Sequence, residues 1–219
     1  MIRRMKLSIK LMRYTFGIKV CVVCEVLFFV AGILLSFVSV KAGTPSMGGF
    51  FMILTGLWLS QLFLSLGSAR MVQASPWNKP IQTTMATFIS FLGFAASYVV
   101  IILLKLPYLA TASAGMLQNM SAELLLNALL AMIMMLYCGA AYKYLITSTI
   151  IFFLAYLGVN TFYGFLLYPA AVKLSFGAAA GIGGLMLIVG AALQYGLSVL
   201  TYKAPISKRA QLRSLQKYM

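Results

Sequence analysis

The sequence predicts an all-α polytopic membrane protein: six transmembrane helices preceded by an amphipathic interfacial helix. Three observations carry this. From Ile18 to Tyr202 the chain is almost continuously apolar, with 63% hydrophobic and 9% charged residues overall, where a soluble domain carries about 25% charged residues. That stretch divides into six segments close to the roughly 20 residues a helix needs to cross a bilayer. The charged residues are 17 Lys and Arg against two acids, Glu25 and Glu123, with no His, and they alternate in density from one side of the segments to the other.

Residues 1–17 read as the interfacial helix. At 100° per residue, Ile2, Met5, Ile9, Met12 and Phe16 share one arc, and Arg3, Lys6, Lys10 and Arg13 share its neighbour. Such a helix lies in the headgroup plane with its basic side toward lipid phosphates. Gly17 permits the turn into the first span.

The spans are expected at about 18–40, 48–68, 84–104, 121–141, 146–168 and 175–201. Helices satisfy their own backbone hydrogen bonds, which lipid cannot do. Runs such as Val26-Leu27-Phe28-Phe29-Val30 lack the alternation a β-barrel needs. The domain plan is 1–17 interfacial helix, 18–203 six-helix domain and 204–219 basic tail. The first span is too long for a cleaved leader and no small-residue cleavage site follows it.

Between spans, Lys41 to Gly49 is rich in Gly and Pro and reads as a turn. Residues 105–120 form the longest outer connection, and Ser121 with Glu123 suits a helix start. The inner loop, 68–84, brackets Trp77-Asn78-Lys79 with Pro76 and Pro80, which stiffen it. Gly177-xxx-Gly181, Ala180-xxx-Gly184 and Ala192-xxx-Gly196 on the last span read as a close-packing face.

Fourteen basic residues fall on the side that holds both termini and the 68–84 loop; only Lys41, Lys105 and Lys173 fall on the other. The positive-inside rule then places both termini in the cytoplasm. The charges flank membrane spans, where they meet anionic lipid rather than nucleic acid.

Most enzyme chemistry is excluded. No GxxxxGK[ST] loop is present to hold ATP phosphates. Without His there is no His–Ser pair and no His metal site. Cys21-Val-Val-Cys24 has a metal or redox spacing, but it and Cys138 sit in apolar spans, where cysteine serves as a small apolar residue. No catalytic, cofactor-binding or metal-binding residue is expected in this chain.

What remains are polar groups inside the spans. Glu25, Gln61 and Gln194 lie at similar counts from the cytoplasmic ends of their helices, about 10 Å deep at 1.5 Å per residue. They form one expected polar layer. Asn127 and Asn160 are expected in the outer half of the fourth and fifth spans. Intramembrane polar residues face the protein interior, where they bond helices together or line a path. One Glu, with no inverted repeat, does not make a proton-coupled transporter.

An N-terminal amphipathic helix, two spans, the stiff stretch from Ala69 through Trp77 to Lys79, and four further spans with both ends inside resemble the permease subunits of ABC-2-type exporters. Size and hydrophobicity look like permeases for amphipathic peptide toxins of the phenol-soluble-modulin type. The resemblance implies a bacterial plasma-membrane location, ATP and Mg bound by a separate ABC ATPase subunit, and a second permease copy. It implies that Arg70, Met71, Gln73, Pro76, Trp77, Asn78 and Lys79 couple to that ATPase, with Tyr142, Lys143 and Tyr144 as a smaller contact. Glu25, Gln61, Asn127, Asn160 and Gln194, the polar groups inside the spans, are the residues expected on a translocation path, with bonding between helices as the other reading. The short connection from Tyr168 to Leu174 departs from family members with re-entrant helices there and argues against polysaccharide export. Rival classes are a six-helix substrate-binding subunit of an uptake transporter, whose Ala-xxx-Ala pattern is missing from the first span, and a pore or holin-like structural protein.

Overall fold

The structure, a computed structural model, describes residues 18–42, 48–67, 70–140 and 174–203, with Gly158 alone in between. The interfacial helix 1–17, the span at 146–168 and the tail 204–219 lie outside the described residues. So do Tyr142, Lys143, Tyr144 and Asn160.

The described residues are all-helical. We number the helices α1 (Ile18–Ala42), α2 (Gly48–Gly67), α3 (Arg70–Gln73), α4 (Asn78–Tyr108), α5 (Ala114–Ala140) and α6 (Phe176–Thr201). Among them α4, α5 and α6 are long and apolar enough to cross a membrane. Apolar α1 and α2 pack beside them, α1 chiefly on α2, and α2 on both α4 and α5.

Chain direction follows from contacts between helices. Phe28 stacks on Phe51, and Gly32 packs against Gly48 and Met52, so α1 and α2 run antiparallel. Gln82 reaches the carbonyl of Gly67 while Ser97 meets Thr55, so α2 and α4 are antiparallel too. Lys79 lies over the ring of Tyr202, Ser90 bonds Gln194, and Tyr98 donates to the carbonyl of Ala180, which sets α4 antiparallel to α6. Against α5, however, α6 is parallel. Gly183 meets Ala128, Gly190 meets Met132, and Thr201 donates to the carbonyl of Gly139.

The structure corrects four expectations. The third expected span, α4, begins at Asn78 rather than 84, because Pro80 falls in its first turn, where a missing N–H does no harm. The fourth begins at Ala114 rather than 121, with Ser113 accepting from the N–H of Met116. Glu123 therefore sits well inside a helix and is not a first-turn residue. The outer connection shortens to the 3-10 turn Leu106–Tyr108, which closes α4, and the few residues after it.

The fourth correction concerns α6. Among the described residues, a Cβ on Gly177, Gly181, Gly184 or Gly196 would meet nothing within 4 Å. The packed face is instead Ala179, Gly183, Leu187, Gly190, Gln194 and Ser198, all buried. At Gly190 a Cβ would lie 3.2 Å from the Cα of Met132, so only hydrogen lets α5 and α6 approach this closely.

A cysteine pair at Met132 and Gly190, in a background without Cys21, Cys24 and Cys138, should form a disulfide on mild oxidation, because Cβ atoms about 4 Å apart suit one. The pair Met132→Cys with Gly177→Cys should not. Cross-linking of the second pair in place of the first would show that α5 and α6 are not parallel.

Candidate functional site

Five polar residues on α4, namely Thr83, Thr87, Ser90, Ser97 and Lys105, are each buried, at 8% exposure or less. Their spacings of four, three, seven and eight residues track two helical turns, so they fall on one stripe. Buried polar side chains from the other helices meet it: Thr55 from α2 at Ser97, Glu123 from α5 at Lys105 and Gln194 from α6 at Ser90. A polar seam thus runs through the interior of an otherwise apolar bundle. In lipid such groups have no water to fall back on, so they turn inward and pair.

At one end of the seam Lys105 Nζ stands 2.7 Å from Glu123 Oε2, with the two side chains 3% and 5% exposed. Antiparallel helices explain how they reach each other. Side chains lean toward their own helix N-terminus, so Lys105 leans back along α4 while Glu123 leans toward it from α5. Along the chain alone, Lys105 reads as an outer-loop cation and Glu123 as a helix-start acid. Asn127 lies one turn beyond Glu123 on the same face, and its amide packs against Gly49 at the start of α2. No signal along the chain links Lys105 to Glu123. The hydroxyl stripe on α4 does have one, its near-heptad spacing.

Midway, Thr55 Oγ1 lies 3.3 Å from Ser97 Oγ and donates to the Met52 carbonyl. Thr55 also forms the inner wall of a groove lined by Glu25, Val26, Phe29 and Val30. Glu25 is half-buried there. Further along, Gln194 Nε2 donates to Ser90 Oγ at 3.0 Å. Since Ser90 and Ser97 are about 10 Å apart on α4, Glu25 and Gln194 meet different levels of the seam. The structure does not bring these two into one layer. The side chain of Gln61 lies outside the described residues, although its helix is described.

Of the residues expected to couple to an ATPase, those in 70–79 form a compact corner. Helix α3 ends at Gln73, and Ser75 then organises the turn. Its hydroxyl donates to the Val72 carbonyl and accepts from Trp77 N–H, and its carbonyl accepts from Asn78 N–H. Asn78 accepts from Gln82, one turn into α4. Trp77 is half-buried and packs against the core, as Val72 does from within it. Ala74, Pro76 and Lys79 are exposed. Lys79 Nζ sits 5.4 Å from the centroid of the Tyr202 ring, a cation–π contact that ties the corner to the end of α6. The side chains of Arg70 and Met71 are outside the described residues. A π-helical segment, Ile81–Met85, follows the corner. Such wide turns within α-helices are frequent at functional positions.

Cys138 is buried and Cys24 half-buried. Among the described residues no group of three His, Cys, Asp or Glu side chains could hold a metal ion.

Set against protein-family models, curated proteins and solved structures, the chain matches none of them. It is an all-helical protein with helices able to span a membrane and a polar seam buried among them.

Removing either partner of a buried ion pair leaves the other uncompensated, at about 3–5 kcal/mol. Glu123→Gln and Lys105→Met should each destabilise the bundle by that order in denaturant titrations in micelles. The double change Lys105→Met with Glu123→Met should recover most of the loss. Single variants within about 1 kcal/mol of the parent would mean the pair carries no structural weight.

Proposed function

We propose that this chain is the permease subunit of an ATP-driven exporter, working as two copies with a separate ABC ATPase and moving amphipathic peptides. The observation that carries the reading is the corner between α3 and α4. A short helix and a hydrogen-bonded turn expose Ala74 and Pro76 at its tip, with exposed Lys79 behind them. Its base is anchored twice, by Val72 and Trp77 to the core and by Lys79 to Tyr202 on α6. A force on such a tip reaches two spanning helices at once, as a coupling element requires.

Six spans fit the helix directions. Parallel α5 and α6 need the chain between them to return across the membrane, and residues 141–173 are long enough for one such crossing. The fourteen-to-three basic bias supports a cytoplasmic side for the corner, Lys203 and both termini. The chain has no phosphate-binding loop of its own, so ATP and Mg belong to the partner. The path is assigned to the polar seam and the Glu25 groove, with Gln194 and Asn127 on the seam and Gln61 and Asn160 as further candidates. Lys143 with its flanking tyrosines Tyr142 and Tyr144 remains the second docking contact.

Anchor residues of an interface cost about 2 kcal/mol or more when truncated, roughly 30-fold in affinity. Trp77→Ala and Arg70→Ala should reduce ATPase recovered with the tagged chain from native membranes by that order, and Lys79→Glu behind the exposed tip should do the same. Thermal unfolding of each variant, run in parallel, separates lost docking from lost folding. Equal ATPase recovery from all three variants and the parent would remove the coupling role.

A further inference from the structure

A hydroxyl buried in a helix ordinarily donates to the carbonyl three or four residues back. Thr55, Ser60, Thr83, Ser121 and Thr201 all do so here. Thr87 and Ser198 do not. Among the described residues neither hydroxyl has a hydrogen-bond partner, and the same holds for Oε1 of Gln194. The three residues are 8%, 1% and 0% exposed.

These orphaned atoms belong to one place in the bundle. Gln194 and Ser198 are one turn apart on the packed face of α6. Thr87 is one turn from Ser90 on α4, and Ser90 is bonded to Gln194. Because α4 and α6 run antiparallel through Lys79–Tyr202 and Ser90–Gln194, the step from Ser90 to Thr87 and the step from Gln194 to Ser198 go the same way. The antiparallel register therefore puts Thr87 and Ser198 at one level of the crossing, on the same side of the Ser90–Gln194 bond.

We propose that Thr87, Gln194 and Ser198 form a binding site for a buried water molecule at the α4–α6 crossing. The chemistry is specific. The amide oxygen can only accept, while each hydroxyl can donate or accept. A water donates to Gln194 Oε1 and to one hydroxyl and accepts from the other. Those are about three hydrogen bonds, the usual complement of a buried water. The described groups at the crossing are neutral, so the site suits a small neutral hydrogen-bonding molecule and no ion. The crossing lies toward the end of α4 and α6 that carries Lys79 and Tyr202, and the water wets that end of the seam. The site stands whether or not an ATPase docks at Trp77.

The sign of a stability change tests it. A hydroxyl that is buried and truly unbonded is better replaced by an apolar group of the same shape, whereas one that holds a water is not. Thr87→Val and Ser198→Ala should each lower the unfolding midpoint in nanodiscs by roughly 2–4 °C. The two hydroxyls share no direct bond, yet the double variant should fall no further than the worse single, because the first change already releases the water. Thr87→Val/Gln194→Met/Ser198→Ala, which removes every partner together, should recover toward the parent midpoint. Single variants equal to or more stable than the parent, or two fully additive losses, overturn the site.

Discussion

Two opposite charges buried inside membrane-type helices cannot be left apart, and that constraint fixes the rest of the bundle. Lys105 and Glu123 sit on consecutive helices and meet at 2.7 Å with almost no exposure. Against a well-packed apolar pair such a bridge gains little, because desolvation offsets most of the Coulomb attraction. Its value lies in register. An α4–α5 pairing slipped by one turn would strand each charge about 5 Å from its partner, in surroundings where an unpaired charge costs several kcal/mol. With α4 and α5 so aligned, Asn127 comes against Gly49 and Ser97 comes against Thr55, which places α2. Helix α6 then closes on both α4 and α5 through Gln194, Gly183 and Gly190.

Hydrophobicity does not distinguish one helix face from another when the solvent is lipid, so packing and hydrogen bonds make the choice. The seam on α4 shows this. Its polar stripe is the inward face, while Leu92, Val99 and Leu103 on the same helix are exposed. On α6, Leu185, Ile188, Val189 and Leu193 are exposed likewise. On α4 the buried hydroxyls interleave with Phe94 and Ile101, and apolar side chains cover the outer face as well. The buried polar groups of α4 fall along one interior line, from Lys105 to Thr83. A path and a structural spine would use the same residues, which is why the export reading rests on the corner as well as the seam.

The helical class and the limits of α1, α2 and α6 were legible in the sequence, because an unbroken apolar run leaves few alternatives. The starts of α4 and α5 were not. Pro76 and Pro80 with Trp77 and Asn78 look like loop chemistry, yet proline is well placed in a first helical turn. Ser121 and Glu123 imitate a cap, and only the partner Lys105 shows that the acid lies inside a helix. On α6 small residues repeat on two faces, Gly177/Gly181/Gly184 and Ala179/Gly183/Gly190. The clue to the packed one was present in Gln194 and Ser198, which share it. The site was legible in part. Gln194 and Asn127 were singled out and are buried, and Glu25 is half-buried. Thr87, Ser90, Ser97 and Ser198 were passed over, because a lone hydroxyl carries no signal until its helical spacing is counted. Lys105–Glu123 could not be read at all, since the pairing depends on how two helices lean.

Charge reversal at that pair tests the account most directly. Lys105→Glu alone places two carboxylates together, and Glu123→Lys alone places two ammonium groups together, in a site with almost no solvent. Each single reversal is expected to abolish accumulation of folded protein in the membrane, read by detergent-resistant monodisperse recovery. The combined reversal Lys105→Glu/Glu123→Lys restores opposite charge and is expected to recover folded protein to near the parent yield. Recovery no better than the worse single reversal would contradict a bundle whose register depends on this pair.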